Sequence, residues 1–360
     1  MNTNLKQTLT ASNVAEVVVP CPELDQTLSF FIDQLGFRVE MITPADNPNT
    51  AIVSGFGIRL CLRTGGSGKD IVLRLHSVDR TAETLQAPNG TTIEITNPSV
   101  SVELPELRES LVVTSLTSEA SWTIGRAGMR YRDLIPSRLG GVFIASHIHI
   151  PNGGPVPDYV HYHRIKFQMI YCKSGWVRVV YEDQGEPFVM HAGDCVLQPP
   201  EIRHRVLESS DNLEVIEIGA PAEHETFAEH QITLPTVQLR PDRDFSGQRF
   251  VRHVAEQTPW LPWRHLGFEA RNTGIDAATS GYASAMSVRA NKLATMNESK
   301  HQHQLMFMFV LSGSAMLTTN NDSEKTQLQA GTSVTLPSLL DFTLEITSDN
   351  TQLLVVELPA

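Results

Sequence analysis

Residues 161–175 read HYHRIKFQMIYCKSG, and residues 193–204 read GDCVLQPPEIRH. The first stretch opens on a His-x-His pair, carries Gln168 and closes on Gly175; the second brings His204 after Gly193 and Pro199. Side chains two apart on a β-strand leave the same face, so His161 and His163 point together and Tyr162 points away. A third imidazole from a separate strand completes one face of a coordination sphere and leaves positions open for water, substrate or oxygen. The alternative is three hydrogen-bonded core histidines without an ion. Burying three converging imidazoles in that way is costly, so the residues point to a metal site among short strands.

The surrounding sequence supports short strands. From 112 to 230 and again from 250 to 360 the chain runs in brief apolar stretches separated by turns, among them GVFIASHIHIPNGG, GWVRVVYED and LEVIEIG, then GYASAMSVRA, SAMLTTNN and LLVVELP. Evenly spaced short strands argue for closed or double-layered antiparallel sheets. The two segments also repeat each other. Gly128, Arg132, Asp133 and Gly141 correspond to Gly267, Arg271, Asn272 and Gly281, and each segment later carries a His-x-His, a Ser-Gly and a Gly-x5-Pro. A repeat of this length implies a duplicated domain. The stretch ITLPTVQLRPDRDFSG between them holds turn residues and charges and is the natural connector.

Composition narrows the partners. With 360 residues the chain has room for two or three domains. Its 28 Lys and Arg against 40 Asp and Glu give a net charge of -12, which removes the broad attraction that supports nucleic-acid or anionic-membrane binding. A small molecule is the expected partner. No window approaches a membrane span. Four cysteines lie far apart without a CxxC pair, and the first twenty residues lack a basic start followed by an apolar run, so a cytoplasmic protein with reduced thiols is expected.

The two spaced motifs resemble those of the cupin superfamily, and their duplication resembles a bicupin. The family pattern is a glycine, His-x-His, three or four residues, a Glu, six residues and a glycine, followed by Gly-x5-Pro-x-Gly-x2-His. Here Gly154 precedes His161 and His163, Gln168 stands in the place of the Glu, Gly175 closes the first motif, and Gly193, Pro199 and His204 form the second, with Glu201 replacing a glycine. The resemblance implies two double-stranded β-helix barrels and one divalent transition metal at His161, His163, Gln168 and His204. Gln168 is a weak ligand that can instead hydrogen-bond a bound water or substrate. Three neutral imidazoles would leave the site cationic and receptive to a small anionic chelating substrate. That ligand set resembles cupin dioxygenases, with Fe favoured and Zn, Mn or Ni as alternatives. A redox-neutral isomerase or lyase, or a non-catalytic binding or sensing protein, are the other readings. The family's habit of pairing strand edges implies a homo-oligomer, a homodimer or larger.

Softer candidates surround this site. His147 and His149 share a strand face and are candidate substrate contacts, an outward polar pair being the alternative. Arg203 and Arg205 flank His204; Arg203 is a candidate anion contact, a solvated arginine the alternative. In the second segment His301 and His303 recur before Gly313, but Met306 and Phe342 replace Gln168 and His204, so that half is expected to be structural.

The N-terminal stretch VAEVVVPCPELDQTLSFFIDQLGFRVEMITP reads as strand, helix and strand, with Leu24, Leu28, Phe31 and Leu35 at helical spacing and Gly36 as the stop. TAIVSGFG and IRLCLR add two strands, giving β-α-β-β-β. This order resembles one module of the vicinal oxygen chelate (glyoxalase and bleomycin-resistance) superfamily. Its first-strand ligand position is Val14, and its closing carboxylate is Glu94, which implies a metal-free module. The expected organisation is a mainly β protein: an α+β module over 1–110, a metal-binding barrel over 112–230, a linker over 231–249 and a degenerate barrel over 250–360.

Overall fold

The computed structural model describes residues 14–97, 102–116, 122–125, 128–290, 293–298, 301–320 and 322–359. The chain divides into two compact units, Met1–Ser101 and Val102–Ala360.

The first unit follows the strand order read from the sequence. A four-stranded sheet places Val17–Cys21 parallel to Ile58–Thr64, followed by Thr50–Gly55 and Arg38–Thr43 in antiparallel succession. The helix Leu24–Ser29 continues through a wider turn, Phe30–Gln34. Leu24, Phe31 and Leu35 are buried from it, and Phe31 meets Phe37 edge to face at 5.3 Å. Gly36, at φ +75°, ends the helix in a left-handed turn that a residue with Cβ would strain to adopt. A separate sheet of Val72–His76, Thr92–Thr96 and Glu83–Gln86 completes the unit. Glu94 lies there in an ion pair with Arg74 at 2.8 Å, and Val14 is exposed. Among the described residues neither belongs to a group of three ligand-type side chains.

Among the described residues the second unit is four sheets. In its first half a seven-stranded sheet containing Ile144–Ile150, Phe167–Ser174, Cys195–Leu197 and Leu213–Ala220 is accompanied by a six-stranded one containing His161–His163, Trp176–Tyr181 and His204–Ser209. The second half repeats the plan with seven strands, including Ser284–Ala290, His303–Ser312 and Thr351–Pro359, and four more, including Ser314–Thr319 and Phe342–Ile346. Of the closed or double-layered sheets expected from the sequence, the double-layered form is the one present: among the described residues each half forms two separate sheets rather than one continuous hydrogen-bonded ring.

Two strands cross between the halves. Val112–Thr114, which precedes the first half, pairs with Ser333–Leu336 at the edge of the second half's large sheet. Val251–His253 pairs with Cys195–Leu197 at the edge of the first half's large sheet. Each half therefore borrows an edge strand from outside its own stretch of chain.

Alternation along the strands divides the side chains between two jobs. Phe167, Met169, Tyr171, Ile216 and Ile218 turn from the first half into one core shared with Phe307, Phe309, Leu354 and Val356 of the second. Ile170, Val177 and Val215 turn the other way, into the interior of the first half. The interior of the second half is filled by Met296, Met306, Met308, Leu317, Leu336 and Phe342. Polar ties cross the shared core: the Ser287 hydroxyl donates to Tyr171 Oη at 3.1 Å, and Arg132 Nη2 donates to the Gly331 carbonyl at 2.7 Å.

A buried charge cluster sits against this core. His147 is fully buried, with Nε2 at 2.5 Å from Glu214 Oε2, and Lys173 donates to the same carboxylate at 2.7 Å. Arg132 Nη2 lies 3.2 Å from His147 Nδ1. An arginine only donates, so Nδ1 accepts and Nε2–H is the donor to Glu214, which defines a neutral imidazole. Burial pushes the His147 pKa down, with Glu214 opposing the shift. Burial alone would raise Glu214, but the hydrogen bonds from His147 and Lys173 outweigh it and hold it at about 2. Both groups bind protons more readily in the unfolded chain. The stability held by His147 is present above its ordinary value near 6.5 and falls as pH drops below it; that held by Glu214 is lost on approach to pH 2. The melting temperature is therefore expected to decline from pH 7 to pH 5, and His147→Gln should flatten that slope. An identical slope in the variant would remove His147 as its source.

Candidate metal centre

The three histidines of the two motifs meet. His161 lies opposite His204 on the neighbouring antiparallel strand, and their rings are 4.2 Å apart between centroids; His163 is 5.2 Å from His161 and 5.3 Å from His204. One nitrogen from each can be chosen so that all three lie within 4.8 Å of one another. No other such group of three ligand-type side chains occurs among the described residues.

Their other nitrogens are oriented by the scaffold. His161 Nδ1 donates to the Tyr159 carbonyl at 2.8 Å, and His204 Nδ1 to the Ile202 carbonyl at 2.9 Å. A carbonyl only accepts, so in both rings Nδ1 carries the proton and Nε2 carries the lone pair needed by a metal. His163 Nδ1 is 2.9 Å from Thr226 Oγ1. The buried Asp158 lies 3.7 Å from His161 Nδ1 and accepts from the Val206 amide at 3.0 Å. Tyr181, opposite His204 in the next strand, stacks on its ring at 5.6 Å. The donor set and its supports fit a divalent transition ion.

The motif turns explain the placement. Gly175, at φ +77°, joins Phe167–Ser174 to Trp176–Tyr181, and a Cβ there would fall 2.3 Å from Ser210 Oγ. Glu201 takes φ +60° where the family pattern has glycine, and its amide donates to the His163 carbonyl at 3.1 Å. The departure in sequence leaves a residue with a Cβ in the left-handed region.

A cavity of about 520 Å³ opens beside the histidines and extends through the first half. Gln168 lines it, 2% exposed, and its side-chain amide donates to Glu217 Oε1 at 2.6 Å. Glu217, also lining the cavity, comes from the strand Leu213–Ala220. The amide thus does not stand alone as the neutral substitute for a carboxylate: a carboxylate enters the same cavity from another strand. Gln168→Glu would place two carboxylates at hydrogen-bond distance, and such pairs hold a shared proton at the cost of one strongly raised pKa. The metal-free variant is expected to lose about 2–4 kcal/mol of stability at pH 7 and to recover part of it on acidification. Wild-type stability at pH 7 would show that the two side chains do not face each other.

The softer candidates fall elsewhere. His147 and His149 point away from the cavity, whose lining takes the intervening Ser146, Ile148 and Ile150. His147 belongs to the buried cluster with Glu214, while His149 lies 3.4 Å from Asn212 and 5.8 Å from the Trp122 ring. The strand's alternation assigns them to the opposite face, which corrects their expected substrate contact. Arg203 also lies outside the cavity lining, its guanidinium 4.1 Å over the outward-facing Tyr162 ring and 3.7 Å from Glu229. Residues not singled out by the motifs take their place: Glu217, Gln198, Tyr181 and His224 all line the cavity, and His224 lies 5.4 Å from His163 between ring centroids. Glu217 had one signal, a lone acid at an inward-alternating position of an apolar strand.

Among the described residues the second half holds no comparable group of three ligand-type side chains. His301 accepts the Leu339 amide on its carbonyl at 2.9 Å, the bond that His163 accepts from Glu201. It therefore occupies the place of His163, and His303 the place of Ile165, so the second His-x-His is offset from the first by two residues. Phe342 is buried in the position of His204. Nearby, Arg264 grips Glu357 at 2.5 and 3.2 Å and Glu298 at 3.0 Å, so an internal guanidinium answers these carboxylates.

Comparison with known proteins agrees with this geometry. Residues 146–219 match the cupin domain. No curated protein matches the chain in sequence. Among solved structures, salicylate 1,2-dioxygenase from Pseudaminobacter salicylatoxidans is similar with a TM-score of 0.51 and 16% identity, over 71% of this chain and 86% of that one. Oxalate decarboxylase from Lactobacillus farciminis is similar with a TM-score of 0.51 and 13% identity, over 72% and 87%. Procruciferin, an 11S globulin from Brassica napus, is similar with a TM-score of 0.50 and 11% identity, over 71% and 86%. These likenesses show a fold of two cupin-type domains, shared by enzymes and a globulin, so function has to be argued from the site. Among the described residues no helix is long and apolar enough to cross a membrane.

Proposed function

We propose that this chain is a metal-dependent cupin enzyme of dioxygenase type, holding Fe(II) at His161, His163 and His204 and acting on a small chelating anion. The observation that carries the reading is the convergence of three supported imidazoles on a cavity of about 520 Å³. When bound, the ion supplies Lewis acidity and, as iron, one-electron chemistry with dioxygen. The chain's residues supply the rest. The Tyr159 and Ile202 carbonyls hold two rings in the ligand tautomer. Gln168 holds Glu217 as a hydrogen-bond acceptor for a substrate hydroxyl.

The first unit is read as a single metal-free vicinal oxygen chelate-like module, supported by its β-α-β-β-β order and by the Arg74 pairing of Glu94. The second half of the larger unit is read as a structural cupin, with residues 231–249 as the connector. A cytoplasmic location is supported by four buried free thiols, and a homodimer or larger assembly by the pairing habit of the family.

Oxygen consumption by the iron-loaded protein tests the dioxygenase reading, using a panel of enolates, diketones and aromatic diols. Uptake coupled to loss of one panel member is the expected result. An iron-loaded protein that consumes no oxygen but turns over a substrate with Zn, Mn or Ni would replace it with the redox-neutral reading.

A further inference from the structure

The cavity's walls say more about its ligand than the histidines do. Ile144, Ile148, Ile170, Val179, Met190 and Val215 line the cavity beyond the three imidazoles. Among the described residues that line the cavity, Arg138 is the single Lys or Arg, and its guanidinium lies 3.4 Å from Asp133. Glu217 brings the opposite charge inside, held in place by the 2.6 Å bond from Gln168. A ligand with a second charged end would thus find apolar wall and a carboxylate where it needs a cationic partner.

We infer that Glu217 is a specificity-determining residue: with Gln168 as its anchor, it makes the cavity select ligands whose polarity is confined to one chelating head with hydroxyl donors, on an apolar body, and reject those with a further carboxylate. This rests on the proposed metal site but not on the chemistry assigned to it. A hydroxyl of the head donates to Glu217, the apolar body fills the isoleucine- and valine-lined space, and a remote carboxylate meets like charge inside a protein cavity, where it is less screened than in bulk water. The device works by the repulsive element as much as by the attractive one.

Calorimetric titration of the Zn(II)-loaded, full-length protein under anaerobic conditions tests the inference without turnover. The probes 4-tert-butylcatechol and 3,4-dihydroxybenzoate share a diol head and differ in an apolar against a carboxylated tail; oxalate represents a head with no body. The wild type is expected to bind 4-tert-butylcatechol at least about tenfold more tightly than either acid. Glu217→Gln should narrow the gap to 3,4-dihydroxybenzoate by about tenfold, by tightening the acid. Equal or tighter binding of 3,4-dihydroxybenzoate or oxalate by the wild type, or no measurable binding of the apolar diol, overturns the inference, and this ranking needs no variant. An unchanged gap in a folded, metal-loaded Glu217→Gln also overturns it. Selective binding without oxygen consumption by the iron form would sink the dioxygenase reading and leave the inference standing; failure to take up metal would sink both.

Discussion

His161→Ala is expected to lower the affinity for a divalent transition ion by more than about 100-fold. Removing a group that merely orients a metal ligand costs about 10–100-fold, and His161 is a ligand itself in the proposed site, fully buried at the centre of the three. Two imidazoles remain, and the fixed tautomer at Tyr159 is lost with the ring. Elemental analysis after dialysis without chelator reads the effect directly. The melting temperature gives a second reading: an ion at about 100 times its dissociation constant stabilises the fold by about 2.7 kcal/mol, a shift that should vanish in the variant. His301→Ala, in the second half, should retain the full ion content. Full occupancy in His161→Ala would mean that the ion is held elsewhere.

Phe307→Ala is expected to cost about 3–5 kcal/mol, because its ring is fully buried in the core that both halves of the larger unit share. For a unit of this size the loss corresponds to a fall of roughly 10 °C in melting temperature. Its position makes the result diagnostic of more than packing. Phe307 stands on a strand of the second half, yet its cluster includes Phe167 and Ile216 of the first, so the signal from the metal site and the signal from the second half should shift together. Calorimetry shows whether one transition moves. A loss below about 1 kcal/mol, or a second half that melts separately, would contradict a common core.

The parts of the fold and site that were legible in the sequence are those set by local chemistry. The spacing of His161, His163 and His204 was enough to bring the three rings together on paper, because strand alternation and a glycine-proline turn leave few places for them to go. The repeat was visible for the same reason: Gly175 and Gly313 both turn at φ +77°. What was hidden depended on pairing between distant strands. Glu217 belongs to the site through its register beside Gln168, in which Gln168 lies opposite Gly219, and no motif spans that distance. His147 and His149 shared a face as expected, but a sequence does not say which face looks inward. The second His-x-His lies two residues further along its repeat than the first, an offset visible only in the bond from Leu339 to His301.

The borrowed edge strands bear on how such a molecule is made. On the ribosome, Val112–Thr114 emerges long before Ser333–Leu336, its hydrogen-bonding partner. At about 5–20 residues per second the wait is on the order of tens of seconds. During that interval the strand has open backbone donors and acceptors, the condition under which chaperones engage nascent chains and strands pair wrongly. The first half likewise lacks its outer strand until Val251–His253 has been synthesised. Truncation of the second half would strip that strand from the half that holds His161, His163 and His204, so each copy is part of the other's architecture.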